Sequence, residues 1–164
     1  MAWSAWAGEP ASEFAALVSM QKQSAGTFYV DAGLSGHSGT LPLLVDTGSS
    51  YLVLNEVLLK ELKARSAAEY VHDIDGMMAD GSRRTIPIYR LAAMRIGDNC
   101  WVHGVEAAIF PANTRPILGM SVLARLAPFT VSDEPPTLAL NKCRQESAGG
   151  PAVSLTVPVS HAPN

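Results

Sequence analysis

Cysteine is almost absent from this chain: Cys100 and Cys143 are the only two in 164 residues. Two cysteines make neither a disulfide framework nor a zinc site. The sequence leaves open whether they bond to each other or stay as buried thiols. Charge is also sparse, at 16% of residues against about 25% in typical soluble domains, which excludes a highly charged disordered chain. A basic excess is lacking too, with 12 Lys and Arg against 15 Asp and Glu and a net charge of -3. Neither a nucleic-acid partner nor a polybasic membrane-surface run is therefore expected.

Long apolar runs are missing as well. No stretch approaches the roughly 18 residues needed to cross a bilayer, so no membrane segment is expected. The start, Met1–Trp6, has no positive n-region and no long apolar h-region, and Glu9 and Glu13 follow soon after. It does not read as a leader, and the default location is cytoplasmic. His37, His72, His103 and His161 are scattered without ligand spacing, so neither a metal nor a cofactor is expected. The Gly-x-Ser-x-Gly context of a serine nucleophile elbow is absent.

What is present is enough apolar material, 48% of the residues, for one domain with a real core. Three zones are expected: an N-terminal extension or linker over 1–25, a folded domain over 26–143, and a flexible tail over 144–164. In the first, Ser12–Met20 reads as a short helix with Phe14, Leu17 and Val18 on one side. In the tail, Val153–Val159 could run extended.

The middle zone is mostly β. Phe28, Val30, Ala32 and Leu34 share one face at period two. Thr40–Val45 and Tyr51–Leu54 are apolar strands. Asn55 caps a helix over Glu56–Arg65, with Leu58 and Leu62 on one face. Glu69–Met78 and Arg83–Ile96 form a hairpin around the turn Ala79, Asp80, Gly81 and Ser82. In its second strand Ile86, Ile88, Ala92, Met94 and Ile96 hold one parity, broken by Arg90. Pro87 inside that strand argues for a projecting hairpin or a sheet edge. Val105, Ala107 and Ile109 mark another strand. Gly119–Leu126 reads as a short helix, with closing strands at Phe129–Val131 and Thr137–Leu140.

The sharpest feature is Leu43-Leu44-Val45-Asp46-Thr47-Gly48-Ser49-Ser50-Tyr51-Leu52-Val53-Leu54. A carboxylate sits in a tight turn between two apolar strands, where partial desolvation favours its neutral form. Gly48 lets the backbone approach a ligand closely, and Thr47 and Ser49 supply hydroxyls. Taken alone, Asp46 reads more readily as a turn aspartate bonding its own backbone than as a catalytic acid. Downstream, Pro116-Ile117-Leu118-Gly119-Met120-Ser121 follows, with Ile117 lying 71 positions after Asp46.

Together these residues resemble the aspartic proteases. Asp46-Thr47-Gly48-Ser49 is similar to their catalytic loop. Ile117, Leu118 and Gly119 are similar to the segment that packs beside it. Only one such Asp-Thr-Gly triplet occurs in the chain, so the resemblance is to the single-lobe, retropepsin-like branch. It covers about residues 26–141 and implies an all-β acid-protease barrel with one or two short helices. It further implies a symmetric homodimer and a peptide or protein substrate. Asp46 would be catalytic, supported by Thr47, Gly48 and Ser49, with Ser49 donating to the Asp46 carboxylate. Ala79, Asp80, Gly81 and Ser82 would form the flap tip. Leu44, Val53, Ile86, Ile88, Phe110 and Ile117 are candidate subsite walls.

Two departures from the retroviral pattern stand out. Ser50 and Met120 occupy the positions of an acid and an arginine that pair there. Losing both partners of a buried pair need not cost much. A module of this fold that dimerises or binds extended peptides without cleaving them is the competing reading.

Overall fold

A computed structural model describes residues 14–78 and 80–145. Trp3, Trp6, Ala79 and the segment Val153–Val159 lie outside the described residues. Twelve strands and two short α-helices are formed among the described residues.

The chain begins with β1 (Ala16–Ser19) and β2 (Gln21–Lys22). The helix expected over Ser12–Met20 is thus corrected to strand. Ala16 and Val18 are buried while Leu17 is 65% exposed, a period of two. The cause is tertiary: β1 lies antiparallel along β11 (Pro136–Leu140), with Val18 opposite Leu138. Four residues are too few to separate the two periodicities by pattern alone. Both strands precede residue 26, yet both are paired into sheets.

The next strands follow the alternation expected of them. β3 (Phe28–Leu34) buries Val30, Ala32 and Leu34. β4 (Leu41–Val45) and β5 (Leu52–Asn55) lead into and out of the Asp46 turn. α1 (Glu56–Ala64) starts where Asn55 Oδ1 accepts the Leu58 N–H at 3.0 Å, and it buries Leu58 and Leu62.

β6 (Ala68–Met77) and β7 (Arg83–Ile96) form the hairpin. Pro87 is tolerated because pairing of β7 with β8 (Cys100–Phe110) begins only at Ile88. Before that point β7 pairs with β6 alone and projects. The expected single parity of β7 does not hold: Leu91 and Ala93 are buried and Ala92 is exposed. The strand changes its buried set as it passes from the hairpin into the body, beside a register shift on β6 between Tyr70 and His72.

β9 (Ile117–Leu118) is followed by α2 (Met120–Leu123) and a 3₁₀ turn over Ala124–Leu126. β10 (Phe129–Asp133), β11 and β12 (Arg144–Gln145) end the described chain. β12 pairs with β8, and the Cys100–Cys143 disulfide fixes that junction. The bond answers the question the sequence left open.

Two sheets result: β1-β11-β10, and β12-β8-β5-β9-β4-β3-β7-β6 with β2 on β3. Pairing of β7 with β8 closes the second sheet into a barrel, which removes most free edges. Its main core gathers Leu43, Leu52, Leu54, Leu62, Met94 and Leu118, all fully buried. Each such side chain contributes about 1.5–3 kcal/mol. A second, smaller cluster of Ile86, Ile88 and Ala108 lies under the hairpin, with Ile74, Met78 and Phe110 packed on it.

Candidate active site

The turn between β4 and β5 is held by β9 and the start of α2. Asp46 N–H donates to the Leu118 carbonyl at 3.1 Å, and Leu44 N–H donates to that of Pro116 at 3.1 Å. In return, Met120 N–H donates to the Ser49 carbonyl at 2.8 Å and Ser121 N–H to that of Ser50 at 2.9 Å. These bonds require close approach. A β-carbon on Gly119 would stand 2.1 Å from the Tyr51 carbonyl oxygen and 2.7 Å from that of Ser49. Only glycine fits there, which explains why the downstream segment carries it.

Asp46 itself is half-buried, while Thr47 and Gly48 are exposed. Its Oδ1 accepts the Gly48 N–H at 2.8 Å, fixing the carboxylate over its own turn. The expected Ser49 hydroxyl bond to Asp46 is not formed. Ser49 Oγ donates instead to the Tyr51 carbonyl at 3.0 Å, across the neck of the same turn. Ser121, one residue into α2, bridges two strands: its Oγ accepts the Leu52 N–H at 2.8 Å and donates to the Glu106 carbonyl at 3.1 Å.

Beside this turn and beneath the hairpin lies a cavity of about 380 Å³. Gly48, Ser49, Ser50 and Tyr51 form one wall. Ile74–Met78 of the hairpin form the other, and Val53, Ile86, Ala108 and Phe110 make the floor. Of the expected apolar walls, Val53, Ile86 and Phe110 line it. Ile88 is fully buried below them, while Leu44 and Ile117 are half-buried along the sheet. Ala108, Tyr51 and Ile74 were missed. Ala108 is legible only through its partner, because Val53 lies opposite it in register. A larger recess of about 520 Å³ against β1, Arg95 and Asp98 includes no residue of the Asp46 turn.

The hairpin tip is a built turn. Gly81 takes φ +80, and its N–H donates to the Met78 carbonyl at 2.9 Å. Ser82 Oγ and N–H both donate to Asp80 Oδ1, at 2.7 and 2.9 Å. The Ser82 hydroxyl above all, then its N–H, hold the Asp80 carboxyl below the usual aspartate range. Asp80, Gly81 and Ser82 are exposed and lie outside the cavity wall. Among the described residues no cluster of His, Cys, Asp or Glu could hold a metal ion. No helix among them is long and apolar enough to cross a membrane.

A closed barrel that presents one Asp-Thr-Gly turn against an Ile-Leu-Gly strand is a retropepsin-like fold. The family model for aspartyl proteases matches residues 29–122, more than half of the chain. The chain belongs to that family. It is also similar to the crystal structure of a retropepsin-like aspartic protease from Rickettsia conorii, with a TM-score of 0.54 and 19% identity. That match covers 76% of this chain and 88% of the other. No curated protein matches in sequence.

Proposed function

We propose that the protein is an aspartic endopeptidase whose active unit is a homodimer with one Asp46 from each chain. The observation that carries this reading is the Asp46 turn itself. Its carboxylate is half-buried and held by the Gly48 N–H, in a turn whose backbone is bonded to β9 and α2. The Gly48–Tyr51 side of that turn walls a cavity with Val53, Ile86 and Phe110 in its floor. A turn aspartate with no further role needs neither that support nor that neighbour.

In the proposed mechanism two Asp46 carboxyls meet across a two-fold axis. Like charges that close cannot both ionise, so the pair shares one proton. The ionised member takes a proton from water as it attacks the scissile carbonyl, and the protonated member donates to the carbonyl oxygen. The tetrahedral diol then collapses, with a proton passing to the leaving amine. Thr47, exposed at the turn, would bond its counterpart across the axis. The Gly48 carbonyl and the hairpin backbone around Asp80–Ser82 would pair with an extended peptide as an added strand. The cavity under the hairpin favours an apolar side chain beside the cleaved bond. The expected domain limits at residues 26 and 143 widen to include β1 and β2 before them and β12 after them, and a removable tail beyond β12 belongs to the same proposal. The Cys100–Cys143 disulfide favours an oxidising compartment over the cytoplasmic default.

Incubating a mixed peptide pool with wild type and Asp46→Asn across roughly pH 3–8, the span of an aspartate dyad, tests this reading. The expected result is cleavage by wild type alone, with a bell-shaped profile and a rate rising faster than linearly with protein concentration. Equal cleavage by both proteins overturns it. Peptide binding without cleavage would instead favour the non-cleaving module.

A further inference from the structure

One row of side chains crosses the barrel on the face opposite the main core. The register places Tyr29 opposite Leu44, Leu44 opposite Ile117, Ile117 opposite Val53, and Val53 opposite Ala108. The neighbouring Leu43, Leu52, Leu54 and Leu118 point the other way, into the main core. The Ala108 end of the row is the floor of the cavity under the hairpin. Leu44 and Ile117, in its middle, are only half-buried. Asp46 lies two residues beyond Leu44, so by strand alternation it rises from the same face. The row therefore passes directly beside the candidate catalytic carboxylate.

Its far end is not apolar. Arg115, exposed and two residues before Ile117, donates from Nη1 to the Tyr29 hydroxyl at 3.2 Å. That bond lays a guanidinium over the end of the row. The ion pairs among the described residues are Lys22–Asp133, His37–Glu61 and Arg90–Glu106, and none includes Arg115. On the same face Asp31 lies two residues along β3 from Tyr29. It accepts a bond from Gln21 Nε2 at 3.4 Å. Arg115 thus holds a fixed positive charge whose one polar side-chain partner among the described residues is a neutral hydroxyl. The guanidinium has five donors, and on this exposed side chain several are left open to solvent.

Resting on the endopeptidase reading, we propose that Arg115 is a specificity-determining residue that binds a substrate's acidic side chain across the Asp46 turn from the cavity. A substrate strand lying along the row would place an apolar side chain in the cavity and a carboxylate against Arg115. A guanidinium suits a carboxylate because two parallel N–H donors match its two oxygens. Anchoring by Tyr29 reduces the side-chain entropy lost when the bond forms. The Leu44 and Ile117 side chains beside the site lower the local dielectric and strengthen the pair.

The test uses short peptides with an apolar centre, acetylated and amidated so that a side chain is the only carboxylate. Glu, Gln or Lys is placed at each position in turn. Wild type is expected to show a kcat/KM at least about tenfold higher for Glu than for Gln at one position, the gain of a charge-assisted hydrogen bond. In Arg115→Gln that ratio falls to about one, and in Arg115→Glu the preference passes to Lys, following the charge. A second arm with free C-termini shows whether a terminal carboxylate is captured instead, which overturns the side-chain assignment. Cleavage without a Glu preference, or a preference that survives in Arg115→Gln, overturns the inference and leaves the protease reading standing. Binding of the same peptides to Asp46→Asn separates the two claims. Glu-selective binding with no cleavage by wild type keeps Arg115 and overturns the protease, and neither binding nor cleavage overturns both.

Discussion

Gly119 lies against Tyr51 so closely that a β-carbon at Gly119 would stand 2.1 Å from the Tyr51 carbonyl oxygen. That contact is what lets α2 start directly beneath the Asp46 turn and take the Ser49 and Ser50 carbonyls. Gly119→Ala must push two backbone segments apart. Overpacking of this kind costs about 1–3 kcal/mol or more, and here it falls on the candidate site. Thermal unfolding of Gly119→Ala should show a clearly lowered midpoint, and peptide cleavage should fall further than the loss of folded protein explains. An unchanged midpoint contradicts the packing.

Ser121 holds the same region from the other side. Removing its hydroxyl leaves the Leu52 N–H and the Glu106 carbonyl without their shared partner. A buried polar group left unsatisfied costs about 1–3 kcal/mol. Ser121→Ala should lose stability in that range by urea unfolding, and Ser121→Thr should recover part of it. Equal stability of Ser121→Ala and wild type contradicts the bridge.

The pairing of Asp46-Thr47-Gly48 with Ile117-Leu118-Gly119, 71 positions away, was legible through the family resemblance, whereas the β pattern, α1 with its Asn55 cap and the hairpin were legible because each is local. Each rests on alternation, a cap or a turn residue within a few positions. What escaped was set by partners far away in sequence. β1 is a strand because β11 offers it an edge. Leu91 and Ala93 are buried and Ala92 is not because β7 changes neighbours along its length. Ser49 bonds the Tyr51 carbonyl across the neck of the turn, a partner set by the turn's backbone path rather than by residue type. Arg115 had no signal until the register placed it over Tyr29.

The Cys100–Cys143 bond spans 43 positions and ties β12 to β8. For a loop of that length the chain-entropy model gives about 4 kcal/mol, and measured losses are about 2–5 kcal/mol. Replacing both cysteines by serine should lower the urea midpoint accordingly. Dithiothreitol should do the same to wild type and leave the double variant unmoved. A reductant-insensitive wild type contradicts the bond.

At the hairpin tip, Ser82 favours ionised Asp80 in the folded turn. A folded pKa below the unfolded one stabilises the turn fully above the ordinary aspartate value of about 3.9. The contribution is lost as pH falls through the lowered value. Carboxyl NMR titration should place Asp80 below ordinary aspartates, and Ser82→Ala should return it upward. An ordinary titration in wild type contradicts the turn. The Glu61 carboxyl, lowered chiefly by its bond to His37, should rise likewise in His37→Ala.

The central claim is that one active site needs Asp46 from two chains, and mixing wild type with Asp46→Asn tests it most directly. Wild type is held at a fixed concentration, high enough to be dimeric, and an equal amount of Asp46→Asn is unfolded and refolded with it. If each site needs two aspartates, random pairing leaves about half of the wild-type chains with a wild-type partner. Activity per wild-type chain should then drop to about half and keep falling as more variant is added. Activity that stays constant through the whole series would contradict the shared dyad.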